Sequence, residues 1–393
     1  MWKSRLSAND LPDANSNLNS NSGSETVQSV SAEALTALPR AYSKPAAQGL
    51  LRVEPADFQV RERLGFEPDG QGEHVLLYVR KTLANTEWVA RQLARFANVP
   101  QKGVGYAGRK DRLAVTEQWF SLQLAGKPEP DWTLFDAPGC VILQHHRHQR
   151  KLRHGAITGN DFRCVLRAVQ GDISTLPARA AELAEQGVPN YFGPQRFGHA
   201  GGNLQLATQW FQRQRRLDRN QRSIALSAAR SFLFNQVLAI RVENNTWQYA
   251  LPGDVLQLDG SRSHFQAEQI DVELAQRVGQ FDLHPSGPLW GRGTLASGGS
   301  VSELEQAVAT QYSLLAEGLE RAGLEQERRA LRVRPGQLQC EILSDDTAFI
   351  EFSLPPGAFA TTLLREWIDY REPELPGKIS GQTSGQTLGL TAQ

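Results

Sequence analysis

Residues Ala107 to Trp119 read AGRKDRLAVTEQW: a glycine-containing loop with one carboxylate, Asp111, leading into a stretch whose alternation reads as a strand over Ala114 to Leu124. An aspartate in such a loop most often serves as a turn or cap residue. Here Arg109, Lys110 and Arg112 flank it, and cations crowded round a carboxylate hold it ionised near neutral pH. An ionised aspartate suits nucleophilic attack or proton abstraction. The loop alone leaves both readings open.

Just upstream, Gly103 to Gly108 spells G-x-G-x-x-G. A dinucleotide site needs a strand before those glycines and a helix after them. Here a helix and Pro100 precede and a strand follows, so the match is a decoy. That helix spans Thr86 to Ala97, with Val89, Leu93 and Phe96 at helical spacing. Before it, His74 to Arg80 places Val75, Leu77 and Val79 on one strand face. Downstream, Phe162, Cys164, Leu166 and Ala168 alternate with Arg163, Val165 and Arg167.

Between those strands, His145, His146 and His148 sit among Arg147, Arg150, Lys151 and Arg153, with His154 beyond. The cations would repel a metal, so no metal site is read there. Residues 145–163 carry five basic groups and one acidic, a balance of +4, and suit a solvated edge or contacts to phosphate. A second basic stretch, Gln212 to Arg230, holds Arg213, Arg215, Arg216, Arg219 and Arg222. Arginine suits bidentate phosphate contacts. The flanking aromatics Trp210, Phe211, Phe232 and Phe234 read mostly as core.

With 393 residues the chain is expected to form two or three domains. A hydrophobic share of 40% with 21% charged residues excludes a mainly disordered chain and a coiled coil. No run of about 18 apolar residues suggests a membrane span. Equal numbers of basic and acidic residues, 42 each, neither announce nor exclude a nucleic-acid partner. Three unpaired cysteines and an N-terminus without an apolar leader point to the cytoplasm. Residues 1–48, rich in Asn and Ser, and 373–393 are expected to be disordered tails. After Ala180 the pattern turns helical, over Leu226 to Arg241 and over Ser302 to Ala322 with Ser302 as N-cap. Strand character returns at Ala348 to Leu354, followed by a short helix from Ala358 to about Tyr370. A β-rich core interrupted by a helical insertion follows.

Seven stretches in one order give these readings a common frame: DFQV (57–60), GFEPDGQGEH (65–74), AGRKDRLAVTEQW (107–119), RKLRHGAITGNDF (150–162), GVPNYFGPQRFG (187–198), LSAARSFLFNQ (226–236) and GAFATTLLRE (357–366). Together they closely resemble the tRNA pseudouridine synthase D family, over Leu51 to about Trp367. The resemblance implies an α+β fold: a catalytic domain with a mixed or antiparallel sheet (49–185 and 333–372), interrupted by a mainly helical insertion domain (186–332). It implies isomerisation of uridine 13 in tRNA to pseudouridine, with no cofactor and no metal; nothing in the sequence demands more than a monomer. Asp111 is then the catalytic carboxylate, as nucleophile or as base on the sugar. Phe58, Asn160, Phe162 and Phe359 line the uridine pocket, beside Lys110.

No redox or phosphate chemistry is needed for that reaction, but the nucleotide must be everted at a cost of a few kcal/mol. Stacking on Phe58, Phe162 and Phe359 offsets this by about 1–3 kcal/mol per base. Asn160 can meet the uracil edge or hold the Asp111 loop. The arginine-rich segments, Arg147, Arg150, Lys151 and Arg153 with Arg213, Arg215, Arg216 and Arg219, are the expected contacts to the RNA backbone.

Overall fold

A computed structural model describes residues 37–153 and 155–373; both distal tails, 1–36 and 374–393, and His154 lie outside the described residues. The first part of the chain contains β1 (Ala47–Leu51), β2 (Phe58–Leu64), β3 (His74–Thr82), helix α1 (Thr86–Phe96), β4 (Val104–Tyr106), β5 (Val115–Gln123), β6 (Cys140–His148), β7 (Ile157–Gly171) and α2 (Leu176–Gln186). The chain then passes through β8 (Val188–Pro189), α3 (Gly202–Phe211), α4 (Arg219–Glu243), β9 (Val255–Leu258), β10 (His264–Gln266), α5 (Val272–Gly279), β11 (Leu283–Leu289), α6 (Gly299–Gln311), α7 (Ser313–Arg321) and β12 (Glu327–Ala330). It returns through β13 (Arg332–Val333), β14 (Gly336–Ser344), β15 (Thr347–Leu354), α8 (Ala360–Trp367) and β16 (Asp369–Arg371).

A ten-stranded sheet runs β14-β15-β7-β2-β5-β3-β6, with β4 on β5 and β1 joining β7 to β16. It is mixed: β2–β5 and β1–β16 are parallel and the other pairs antiparallel. The long β7 carries both β2 and β1 along one edge, so residues 52–57 form a corner between them. That corner is pinned by Asp57, 1% exposed, whose carboxylate accepts from Arg167 Nε and Nη2 at 2.8–3.0 Å and from the Glu54 amide.

Register sets the two faces. Phe58, Val60 and Glu62 lie opposite Cys164, Phe162 and Asn160, which face Ile350, Phe352 and Leu354 on the other side. Across β5, Thr116 and Gln118 continue the same face to Lys81 and Val79. Apolar side chains at its two ends are covered by helices. Phe58, Phe162 and Phe352 share a core with α2 and α8, and Val75, Leu77 and Val79 share one with α1. Between them runs a strip of polar side chains: Glu62, Thr116, Gln118 and Lys81. The opposite face is a solvated lattice of ion pairs, Arg61 and Arg80 on Glu117 and Arg63 on Asp161.

The segment entering at β8 and leaving at β13 is closed at its base, where these strands pair antiparallel. Gly187, at φ +76°, turns the chain into it; a Cβ there would lie 2.9 Å from the Val333 carbonyl and 3.0 Å from the Phe281 ring. Its own core surrounds α4, whose Phe232, Leu233, Phe234, Val237 and Leu238 are all buried. This burial explains a helix long and apolar enough, by length and composition, to cross a membrane. The segment also holds a four-stranded antiparallel sheet, β10-β9-β11-β12, which a mainly helical reading did not anticipate.

Other local expectations are corrected. Order begins well before residue 48: the Ala41 and Tyr42 amides donate to Glu366, and Tyr42 Oη donates to the Gly187 carbonyl at 2.6 Å. Ala168 does not continue the buried alternation, because its φ of +49° makes a bulge that exposes it and buries Val169. The stretch 302–322 is two helices broken at Tyr312, and the first is capped at Gly298 rather than Ser302. The last helix ends at Trp367, where Ile368 turns extended to feed β16.

Candidate active site

The loop between β4 and β5 lies over the polar strip, and four side chains hold it. Gln118 Nε2 donates to the Gly108 carbonyl at 3.0 Å, and the Lys110 amide donates to Thr86 Oγ1 at 3.0 Å. Lys110 Nζ reaches Glu62 at 2.7 Å, and the second Glu62 oxygen accepts the Trp119 amide. Lys81, 0% exposed, donates to the main-chain oxygens of Ala84 and Asp111 at 2.8 and 2.9 Å. Burial lowers its ammonium to about 8, against the opposing pull of Asp111. The strand before the G-x-G-x-x-G glycines is missing and no helix follows them, so the dinucleotide reading fails on geometry.

This scaffold presents the Asp111 side chain, 44% exposed, to solvent. Its cationic partner is not one of its sequence neighbours. Arg109 pairs with Glu87, Arg112 donates to the Leu83 carbonyl, and Lys110 turns inward to Glu62. The partner is Arg52, from the corner between β1 and β2, whose Nη2 meets Asp111 Oδ2 at 2.8 Å. The same guanidinium pairs with Glu372 at 2.7 Å and lies 3.9 Å above the Phe58 ring. Lys110 therefore acts on the loop from within, instead of standing free for substrate as the sequence suggested.

Phe58 continues edge-to-face to Phe162 at 6.2 Å, which stacks on Phe352 at 5.2 Å. Asp111, Arg52, Phe58 and Phe162 thus form one connected group. Both rings are sealed, at 2% and 7% exposure: Phe58 lies beneath the Arg52 guanidinium, and both belong to the core shared with α2 and α8. Asn160 sits between Glu62 and Leu354, with a buried Oδ1 that has no partner among the described residues; it does not hold the Asp111 loop. Phe359 stands apart, half-buried, its ring against Phe192 at 5.8 Å and under the Arg196 guanidinium at 5.6 Å.

The sequence reading missed Arg52, Glu62 and Lys81. For two of them the signal was present. Extending the period of Val75, Leu77 and Val79 by one step places Lys81 on the buried face, and Phe58 and Val60 lead likewise to Glu62. Nothing local marks Arg52, because its partner is 59 residues away.

The basic segments divide. Arg147 is engaged by Glu129 at 2.6 Å and by the Gly72 carbonyl, and Lys151 donates to the Lys102 carbonyl. Arg150 and Arg153 are exposed, with no ion pair among the described residues. Arg213, Arg215 and Arg216, in the turn between α3 and α4, and Arg219, opening α4, are exposed too. His145 also leans on Glu129, while His148 pairs with Asp69 at 2.6 Å and stacks on Phe66.

The family model for tRNA pseudouridine synthase D (TruD) matches residues 36–214 and 203–367. The chain belongs to the tRNA pseudouridine synthase D family. A member from Methylococcus capsulatus is 49% identical over 334 residues, covering 85% of this chain and 94% of its own. One from Nitrosococcus oceani is 48% identical over 331 residues, covering 84% and 92%. A solved structure from Methanosarcina mazei shares the tRNA pseudouridine synthase D fold with a TM-score of 0.63, at 21% identity, over 84% of this chain and 95% of that one.

Proposed function

We propose that this protein isomerises uridine to pseudouridine in tRNA, at position 13, with Asp111 as the catalytic carboxylate. The observation that carries the reading is the Arg52–Asp111 pair: a solvent-facing carboxylate held at 2.8 Å by a guanidinium, on a loop fixed by four buried or half-buried side chains. The reaction breaks the bond from uracil N1 to ribose C1′, turns the base, joins C5 to C1′, and moves the C5 proton to N1 or solvent. An ionised Asp111 begins it by attacking C1′ or by taking a proton from the sugar. Rigidity of the loop fits this task, because the carboxylate must meet one carbon of an everted nucleotide.

The base enters where Arg52 now covers Phe58, and its polar edge meets Asn160, whose orphan oxygen is an acceptor without a donor. The detached base must be retained until C5 faces C1′, and in this reading Phe359, apart from the Phe58–Phe162 pair, faces it with a half-exposed ring. RNA is held by the exposed arginines 213, 215, 216 and 219, whose charge adds to the positive end of α4, with Arg150 and Arg153. In this reading the enzyme works as a cytoplasmic monomer.

The test is carbodiimide mapping of pseudouridine in a tRNA transcript incubated with wild type and with Asp111→Asn. The wild type should mark position 13. The variant should lose at least about 10³-fold in rate while binding tRNA normally. A variant that retains the rate would assign Asp111 to the loop's architecture alone.

A further inference from the structure

Two guanidiniums meet at the seam between the inserted segment and the catalytic core with no carboxylate paired to either among the described residues. Arg196, from the turn Pro194–Arg196, and Arg329, on β12, both lie over the ring of Phe192, at 5.3 and 4.1 Å. Every acceptor they use is neutral. Arg329 donates to the Asn190 main-chain and side-chain oxygens and to the Gly357 carbonyl, leaving Nη1 without an acceptor among the described residues. Arg196 donates from Nη1 to Ser227 Oγ at 2.8 Å, and its Nε is buried with no partner.

Elsewhere the molecule treats such groups differently. Arg241 is neutralised by Asp254 and Arg328 by Glu305, each at 2.8 Å. Arg332 has no carboxylate either, yet all three of its nitrogens reach acceptors. Among the described residues, Arg196 and Arg329 combine partial burial, mutual repulsion and spare donors with no carboxylate to offset them. Burial disfavours both charges, and in Arg329 the nearness of Arg196 adds to the effect. A bound anion reverses both costs.

We propose that Arg196 and Arg329 form a binding site for one phosphodiester of the RNA backbone beside the everted nucleotide. The proposal rests on the reading of this protein as an enzyme acting on RNA. Two planar forks with free N–H groups suit the tetrahedral oxygens of a phosphate. The proposed function directs the site to a phosphate of the substrate, because in that reading Phe359 faces the base. Arg196 lies over Phe359, and Phe359 follows by five residues Leu354, the strand partner of Asn160. Gly193 keeps the seam tight: a Cβ there would fall 2.6 Å from Thr361 Oγ1 and 3.1 Å from the Phe359 ring.

The experiment uses the full chain and a tRNA transcript, with Kd measured by filter binding across a salt series. Arg196→Gln should weaken binding on the order of fivefold near 0.1 M salt and flatten the slope of log Kd against log salt by about 0.7, the share of one phosphate. Arg196→Lys should restore most of that slope. Arg329→Gln should act in the same direction. Because Arg329 also anchors Asn190 and Gly357, a thermal melt accompanies each variant, and the Arg196 pair carries the test should Arg329→Gln not fold.

Neutral methylphosphonates placed singly at the phosphates flanking the target uridine provide the second arm. At one position the wild type should lose the same factor, while Arg196→Gln should be indifferent to the change. Independent, multiplying losses at every position would overturn the proposal. So would a folded Arg196→Gln with unchanged Kd and slope, or a site that responds to inorganic phosphate but not to the RNA substitutions. Pseudouridine is read separately in the same samples: missing product with intact coupling would refute the isomerase reading and leave the anion site standing.

Discussion

Lys81 and Asp111 are joined through the backbone: an ammonium with no exposure to solvent donates to the aspartate's main-chain oxygen at 2.9 Å, while the carboxylate goes to Arg52. Lys81 is therefore a positioning residue, setting where the loop turns without touching the reacting carboxylate. Lys81→Met would leave the Ala84 and Asp111 carbonyls unsatisfied, and a displacement near 1 Å costs about 10²-fold in rate. We expect kcat to fall by that order with tRNA Kd unchanged. Equal losses in kcat and in affinity would instead indicate general unfolding of the loop.

The same lysine makes stability depend on pH in a calculable direction. Its folded value, about 8, is below the unfolded value of 10.5, so between these limits the unfolded chain binds more protons. Stability attributable to this group therefore rises as pH climbs from about 8 to about 10.5, where the penalty of burying its charge is relieved. Urea denaturation of wild type and Lys81→Met at pH 7 and pH 10 isolates this contribution. Relative to the variant, the wild type should gain on the order of 2–3 kcal/mol at the higher pH. A constant difference would show that the ammonium is not desolvated as its burial requires.

Arg52 separates electrostatic from packing roles. Its pair with Asp111 is half-exposed on the carboxylate side, so its share of stability is about 0–1 kcal/mol. Its effect on the reaction should be far larger, since it fixes the Asp111 carboxylate at 2.8 Å and covers Phe58. Arg52→Ala should reduce kcat by about 10²-fold, because the carboxylate loses the group that orients it. Arg52→Lys should restore part of the rate, by returning a point charge without the planar cover. An unchanged kcat in Arg52→Ala would assign the placement of Asp111 to another group.

How much of this could be read without coordinates depended on how local each signal was. The alternation in β3 and β7 and the apolar spacing of α1 were legible because one face of each is buried, and burial imposes the period. Ala168 broke that logic because a single residue at positive φ inserts a bulge, which side-chain type does not announce. The cations round Asp111 misled for a related reason. Arg109, Lys110 and Arg112 each found a nearer partner on another element, in Glu87, Glu62 and the Leu83 carbonyl, and proximity in sequence gave no hint of this. The site's aromatics were named through resemblance, but the cover of Arg52 over Phe58 is a property of the packed corner. Likewise Ser302 looked like a cap because Glu305 follows it by three, whereas Glu305 is buried against Arg328 and Ser297.

Asp57 yields the prediction in which architecture and chemistry meet most directly. It stands beside Phe58, yet its carboxylate is 1% exposed and is consumed by Arg167 and the Glu54 amide. Its work is to hold the corner from which Arg52 reaches Asp111 and Phe58 enters the core. Arg167 is partly exposed and can rehydrate when its partner is lost, so the penalty is that of breaking charged hydrogen bonds, about 2–3 kcal/mol, and not that of stranding a buried cation. Asp57→Ala should lower stability by that amount in urea denaturation. It should also reduce kcat at temperatures where the variant is still folded, because Arg52 is no longer fixed. If the corner is the link, Asp57→Ala and Arg52→Ala will not multiply in kcat: with the guanidinium already absent, disordering its support costs little more. Multiplying losses would mean that Asp57 acts on the reaction by a route that bypasses Arg52.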